Sequence, residues 1–238
     1  MACDSSYIKI ASSSHSATVI LMHGLGDSGR SMYATASWLR QDPALQHIQW
    51  ILPQAPIRPV AANGNRRMSA WFNVCNVQFQ GKEDEEGMFD SARTIEQLID
   101  EELSSGIDPS RIVLAGFMQG AALSLLAGLT TPKKLAGLAV LSGRLPIPHK
   151  MKGMASAHAP SLPIFWGYNI ADPLAGFAFD QLSVKFLTQE MGFPTAVAAT
   201  GDVRGIELHG YRGLGTGISS DELRDLGVWL KKALPRFQ

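Results

Sequence analysis

Val113-Leu114-Ala115-Gly116-Phe117-Met118-Gln119-Gly120 reads as a strand that breaks into a helix through one tight turn. Val113–Ala115 is apolar, Gly116 and Gly120 bracket the turn, and the Ala/Leu-rich stretch Gly120–Leu129 follows. Glycine adds no Cβ, so two of them let the strand and helix backbones pack closely. The residue lifted to the crest of the turn is Met118. A thioether has no proton to lose and forms no stable acyl intermediate. The crest therefore carries an apolar side chain where a strand–turn–helix of this kind can present a reactive one.

Outward from this turn, strand-like and helix-like segments alternate. Thr18–His23, Ile48–Leu52, Arg111–Ala115, Leu135–Leu141, Pro163–Gly167 and Ile206–Tyr211 are short, apolar and bounded by turn residues. They read as strands, several of them buried and parallel. Ser31–Arg40, Glu83–Leu103, Gly120–Leu129, Phe177–Met191 and Ser219–Ala233 carry helical spacing or composition. Glu83–Leu103 starts with acidic residues that suit a helix N-terminus, and Ser219 with Glu222 suits a capping box. Pro56, Pro59 and Gly64 mark a loop before Trp71-Phe72. The alternation predicts an α/β fold with a mostly parallel central sheet and helices on both faces.

Composition narrows the function. The chain has 238 residues, 45% of them hydrophobic, and 21 basic residues balance 21 acidic ones. That suits one domain over residues 1–238 with a substantial core. A net charge of +0 leaves no electrostatic footprint for nucleic acid or an anionic membrane. Cys3 and Cys75 are too few for a disulfide framework, which favours a reducing, cytoplasmic setting. The N-terminus lacks the basic and apolar regions of a secretory signal, and no apolar run is long enough to span a bilayer. A soluble protein without stable membrane insertion is expected.

Several motifs together resemble the acyl-protein thioesterase and lysophospholipase-like carboxylesterases, which are small α/β-hydrolases. Leu21 to Gly29 reads L-M-H-G-L-G-D-S-G, like the family's oxyanion loop. Pro53 to Val60 reads P-Q-A-P-I-R-P-V, and Ala70 to Asn73 reads A-W-F-N beside the family's W-F-D. E-D-E-E-G (Glu83 to Gly87) precedes the second family helix. G-F-M-Q-G matches G-F-S-Q-G except at Met118. A-D-P-L (Ala171 to Leu174) contains Asp172, and Y-R-G-L-G-T-G (Tyr211 to Gly217) resembles Y-x-G-x-G-H-S. The resemblance implies the α/β-hydrolase fold, with Met118 at the nucleophile position, Thr216 at the catalytic histidine and Asp172 as the retained acid. It also implies an oxyanion hole made by the backbone amides of Leu25 and Gln119, which needs no side chain.

Further departures gather at the same rim. Trp166-Gly167-Tyr168-Asn169 stands where the family has His-Gly, and Ala175-Gly176 where Val-Pro is common. Asn73 replaces an aspartate, and Arg144 follows L-S-G where an aromatic often stands. This concentration reads as a rebuilt small-molecule pocket, and it suggests an engineered protein on a carboxylesterase scaffold. A natural pseudoenzyme that binds acyl or lipid groups is the alternative.

Each candidate has two readings. Cys75 as a new nucleophile with His23 as its base would make an ester-hydrolysis pair. Equally, Cys75 is a small buried hydrophobe and His23 a hydrogen-bonded structural histidine. Trp71, Trp166, Tyr168 and Asn169 supply stacking and hydrogen bonds to a ligand, or pack the core. Arg144 is a candidate anion contact, and Asp172 a lone base if burial raised its pKa. Ser124 and Ser142 are the nearest alternative serines, with no histidine at family spacing. His15, His47, His149 and His158 read as surface residues, and His209 as facing solvent. No His/Cys pair has metal-ligand spacing, so neither a metal nor a cofactor is expected. The expected partners are a small-molecule ligand and, because family members often self-associate, a second copy of the chain.

Overall fold

The computed structural model describes residues 7–12, 15–75, 82–170, 177–196, 203–212 and 217–236. In chain order it contains β1 (Tyr7–Ile10), β2 (Ala17–Met22), α1 (Met32–Leu39), β3 (Ile48–Pro53), β4 (Ile57–Val60) and β5 (Arg66–Ser69). Next come α2 (Glu85–Ser104), β6 (Ile112–Phe117), α3 (Gln119–Thr130), β7 (Gly137–Leu141) and α4 (Pro148–Met154). The chain continues through β8 (Ile164–Asn169), α5 (Phe177–Gln189), β9 (Ile206–Tyr211) and α6 (Ser220–Ala233).

Seven strands form one sheet in the order β1-β3-β2-β6-β7-β8-β9. Only β1 runs antiparallel to its neighbour; the pairings from β3 through β9 are parallel. Period-two alternation sorts the strand side chains. Ile20, Met22, Leu114, Val140 and Trp166 join the core that α2, α3 and α5 cover. Val19, Leu21, Val113, Leu141 and Phe165 join the core beneath α1 and α6. β2, β3 and β7 are buried throughout, so they read as apolar runs and not as alternating strands. Helix α3 is buried from Gln119 to Leu129, which explains why its sequence shows no polar face.

Three elements depart from the sequence expectation. β1 is a short edge strand, Tyr-Ile-Lys-Ile, with too few residues to show a period. The stretch expected as a loop before Trp71 forms a two-stranded ribbon, β4 with β5, in which Pro59 pairs with Arg67. Proline is tolerated because this ribbon has edges on both sides. Helix α4, seven residues long and opened by Pro148, has too little length for a periodic signal. His47, expected at the surface, is 1% exposed, and its Nε2 donates to the carbonyl of Leu234 at 3.0 Å. It anchors the end of α6 to the start of β3.

The turn between β6 and α3 is held by contact between backbones. A Cβ on Gly116 would lie 2.2 Å from the Gly120 carbonyl, and one on Gly120 would lie 2.3 Å from the Met22 carbonyl oxygen. No side chain can move aside to relieve either contact. Gly116→Ala should therefore lower stability by about 3 kcal/mol, the upper end of overpacking costs. Gly153 sits in α4 with nothing within 4 Å of its would-be Cβ. Gly153→Ala should raise stability by about 0.5–1 kcal/mol through helix propensity. Urea denaturation of the two variants beside the parent checks both signs.

Candidate functional site at the turn between β6 and α3

Met118 has φ 51° and ψ −108°, a strained conformation for a residue with a Cβ. Such a backbone costs on the order of 1–3 kcal/mol and survives only where its surroundings impose it. Here the Met118 amide donates to the Leu141 carbonyl at 2.9 Å, and its carbonyl accepts from Ala122 at 3.1 Å. The Met118 side chain is half-buried at the crest. Gly24 lies beside it, its would-be Cβ 3.6 Å from the Met118 Cβ. Among the described residues, the backbone amides of Leu25 and Gln119 donate to no acceptor.

Beneath the crest, His23, Trp71 and Gln119 form one hydrogen-bonded unit. The Trp71 amide donates to Gln119 Oε1 at 2.8 Å, and Gln119 Nε2 donates to the Phe72 carbonyl at 2.7 Å. Trp71 Nε1 donates to the His23 carbonyl at 2.9 Å, and the two rings lie 5.2 Å apart. Ser91 Oγ donates to the Trp71 carbonyl. His23 is fully buried, and both ring nitrogens are engaged. Nδ1 donates to the Gly24 carbonyl at 2.7 Å, so Nε2 carries the lone pair and accepts from the Ala55 amide at 3.1 Å. Burial holds its pKa below the ordinary imidazole value, against the pull of the Gly24 carbonyl. The ring is a neutral structural tie with no lone pair left for a substrate proton. Trp71, 1% exposed, is a strut of the same unit and not a wall open to ligand.

The structure does not bring Cys75 to this unit. Cys75 is exposed and lines a cleft of about 790 Å³ at the start of α2. Glu83, Asp84, Glu85, Glu86 and Asp90 share that cleft with Lys82, Arg93 and Lys150, and no histidine lines it. Among the described residues no hydrogen bond joins the thiol to an imidazole, and His149 Nε2 lies 3.7 Å from Glu85. Arg144 is also committed: its Nη2 pairs with Glu83 Oε1 at 2.6 Å, while Glu83 Oε2 accepts from the Ile147 amide at 2.9 Å. The guanidinium thus fastens the loop before α4 to the loop before α2. Asn73 sits in that join too. Its amide donates to Asp84 Oδ2 at 2.7 Å, and its Oδ1 accepts from the Ala61 amide at 2.9 Å.

At the other side, Trp166 is fully buried, and its Nε1 donates to Asp180 Oδ1 at 2.7 Å. It is a core residue. Asn169 is 5% exposed, and Tyr168 lies over Gly210, its hydroxyl 2.6 Å from the place a Cβ would occupy. His209 is half-buried and not directed freely to solvent; it stacks on Phe165 at 5.1 Å between centroids. Ser124 Oγ is spent on the Ala121 carbonyl at 2.8 Å. Asp172, Thr216, Ala175 and Gly176 lie outside the described residues. The described residues hold no cluster of three metal-ligating side chains. No described helix is long and apolar enough to cross a membrane.

Sequence reasoning missed Glu83 and Asp180 as the partners of Arg144 and Trp166. Neither pairing has a local signal, because each joins segments far apart in the chain. A buried indole or guanidinium does demand an acceptor, and that demand was the available clue.

A sheet in this order, with a strained residue at the crest of the strand–turn–helix, defines an α/β-hydrolase. The chain belongs to the phospholipase/carboxylesterase family, whose sequence pattern matches residues 4–233. It is 40% identical to an acyl-protein thioesterase 1 of Cryptococcus neoformans over 92% of this chain and 93% of that protein. It is 34% identical to the acyl-protein thioesterase 1 of Saccharomyces cerevisiae over 91% of this chain and 92% of that one. Among solved structures, Arabidopsis thaliana SOBER1 superposes with a TM-score of 0.81 at 30% identity, covering 92% of this chain and 99% of that chain. At 40% identity, most aligned positions differ. Differences from these relatives are therefore not confined to the rim, and the comparison lends no support to an engineered origin.

Gln119 is the central tie of the buried unit. Gln119→Ala leaves the Trp71 amide and the Phe72 carbonyl without partners, and each buried orphan costs about 1–3 kcal/mol. A loss of about 2–4 kcal/mol in thermal or urea unfolding is expected. A change within 0.5 kcal/mol would remove Gln119 from this role.

Proposed function

We propose that this member of the carboxylesterase family binds an acyl-type small molecule above Met118 and does not hydrolyse esters by the serine mechanism. One observation carries the reading: the strained crest of the turn is occupied by a half-buried thioether. A serine there would attack a carbonyl; methionine offers only apolar, polarizable surface. The other candidate groups are not arranged to replace it. His23 has both nitrogens bonded, Ser124 donates to its own helix, and Cys75 lies among carboxylates with no hydrogen bond to an imidazole among the described residues. The amides of Leu25 and Gln119, which donate to no acceptor among the described residues, are the donors such a ligand carbonyl would use. The acyl character of the ligand rests on the thioesterase names of the relatives and on the apolar crest.

Restoring the missing groups tests the reading. The parent protein should neither label with a fluorophosphonate probe nor turn over p-nitrophenyl esters. Met118→Ser with Thr216→His should label and should raise ester hydrolysis on the order of 10²–10⁴-fold, the usual worth of a positioned base acting on its nucleophile. Labelling of the parent protein at a serine would overturn the proposal.

A thiol-based esterase is the second reading, and it makes a separate prediction. Cys75→Ala should leave any measured ester hydrolysis unchanged. A burst of product that vanishes in that variant would reinstate Cys75 as a nucleophile.

A further inference from the structure

Glu222 is the third residue of α6, and its carboxyl is pressed against β8. It is 3% exposed. Oε2 accepts from the Ser219 amide at 3.4 Å, closing the capping box in which Ser219 Oγ accepts from the Glu222 amide at 3.1 Å. Oε1 is buried and has no hydrogen-bond partner among the described residues. It lies against Gly167, where a Cβ would come within 2.3 Å of it. A side chain at 167 would push this carboxyl out of its seat.

The surroundings of Glu222 contain no cation among the described residues that act on it. From α5, the Asp180 carboxylate adds repulsion while holding the Trp166 indole. From β9, the Tyr211 hydroxyl donates to Asp225 at 2.8 Å, and its own pKa is raised by burial, by Asp225 and further by Glu222 and Asp221. From β8, the backbone of Gly167 lies against it. On α6 itself, Asp221 and Asp225 are acidic and Ser219 supplies the cap. Asp221 is exposed and pairs with Arg224 at 2.7 Å, so a charged Glu222 would face the Asp180 carboxylate with one oxygen unpaired.

We propose that Glu222 is a proton-operated latch: as the neutral acid it seats the first turn of α6 against β8, and on ionisation it releases that turn. The latch joins two chain segments of interest. Gly167 precedes Asp172 by five residues, and Glu222 follows Thr216 by six. Its state therefore sets how firmly the roots of both family active-site positions are tied together. The proposal stands whether or not the protein hydrolyses esters.

The balance of forces sets the pH window. Burial pushes the carboxyl up, the Ser219 amide pulls it down, and Asp180 pushes it up again; burial wins, and the pKa rises to about 7. In a released turn the carboxyl would titrate near its ordinary value of 4.5. The released state then binds fewer protons than the seated state between these two values. Release becomes easier as pH rises through that window, and it levels off above about 7.

Hydrogen exchange at the Glu222 and Leu223 amides reads this release directly, since both are bonded to Ser219 in the seated turn. After correction for intrinsic exchange, their opening constant should rise about tenfold or more from pH 5.5 to pH 7.5. Amides in the middle of α2 should not follow. Glu222→Gln keeps the shape and removes the charge, so its opening should be flat across the same range. Asp180→Asn retains an acceptor for Trp166 and removes the repulsion, so the rise should level off at lower pH. If Glu222→Gln does not fold, the Asp180→Asn shift and the carboxyl stretch of Glu222 in difference infrared spectra decide alone. An opening constant in the parent that ignores pH, a Gln variant with the parent's profile, or an Asn variant with no shift would each overturn the latch.

Discussion

The contact of Gly116 with Gly120, and of Gly120 with the end of β2, is the constraint on which the site depends. With would-be Cβ distances of 2.2 and 2.3 Å, three pieces of backbone are packed against one another with no side chain between them. That contact leaves the chain one way to pass from β6 into α3, and Met118 is at the crest of it. The cost of a positive φ at Met118 is fixed by the path and not by the residue. The geometry of the turn therefore belongs to residues 116 and 120, and the side chain at 118 is free to differ without changing it.

A second layer repeats the division. His23, Trp71, Gln119 and Gln54 tie the strand ends to the segment after β5 through backbone groups and buried side chains. Gln54 Nε2 donates to Ser69 Oγ at 2.7 Å, and its Oε1 accepts from the Gly29 amide at 3.0 Å. None of these bonds involves the groups that would touch a substrate. A chain can therefore exchange its reactive residues while the scaffold beneath them keeps every partner it needs.

Legibility in the sequence followed the range of the physics. The parallel strands and their helices were legible because burial on both faces writes apolar runs, and amphipathic helices write a period. The glycines of the turn were legible because close backbone approach permits no other residue. β1, β4, β5 and α4 were not: the three strands have four largely unburied residues each and write no apolar run, and α4 is seven residues, less than two helical turns. His47 and His23 look alike in sequence as histidines beside apolar runs. Only the tertiary partners, Leu234 for one and Ala55 with Gly24 for the other, reveal that both are structural. The place of Met118 at the turn was legible, and the bonds of Arg144 and Trp166 were not, because they depend on partners on other segments.

Those distant partners hold the rim where it differs from its family. A buried polar group left without a partner costs about 1–3 kcal/mol. The departing residues whose bonds are described here are not in that condition. Trp166 has Asp180, Arg144 has Glu83, and the Asn73 side chain accepts from Ala61, each bond reaching to another segment of the chain. The rim is therefore ordered by tertiary bonds of the same kind that order the core, and that order does not depend on which side chain stands at position 118.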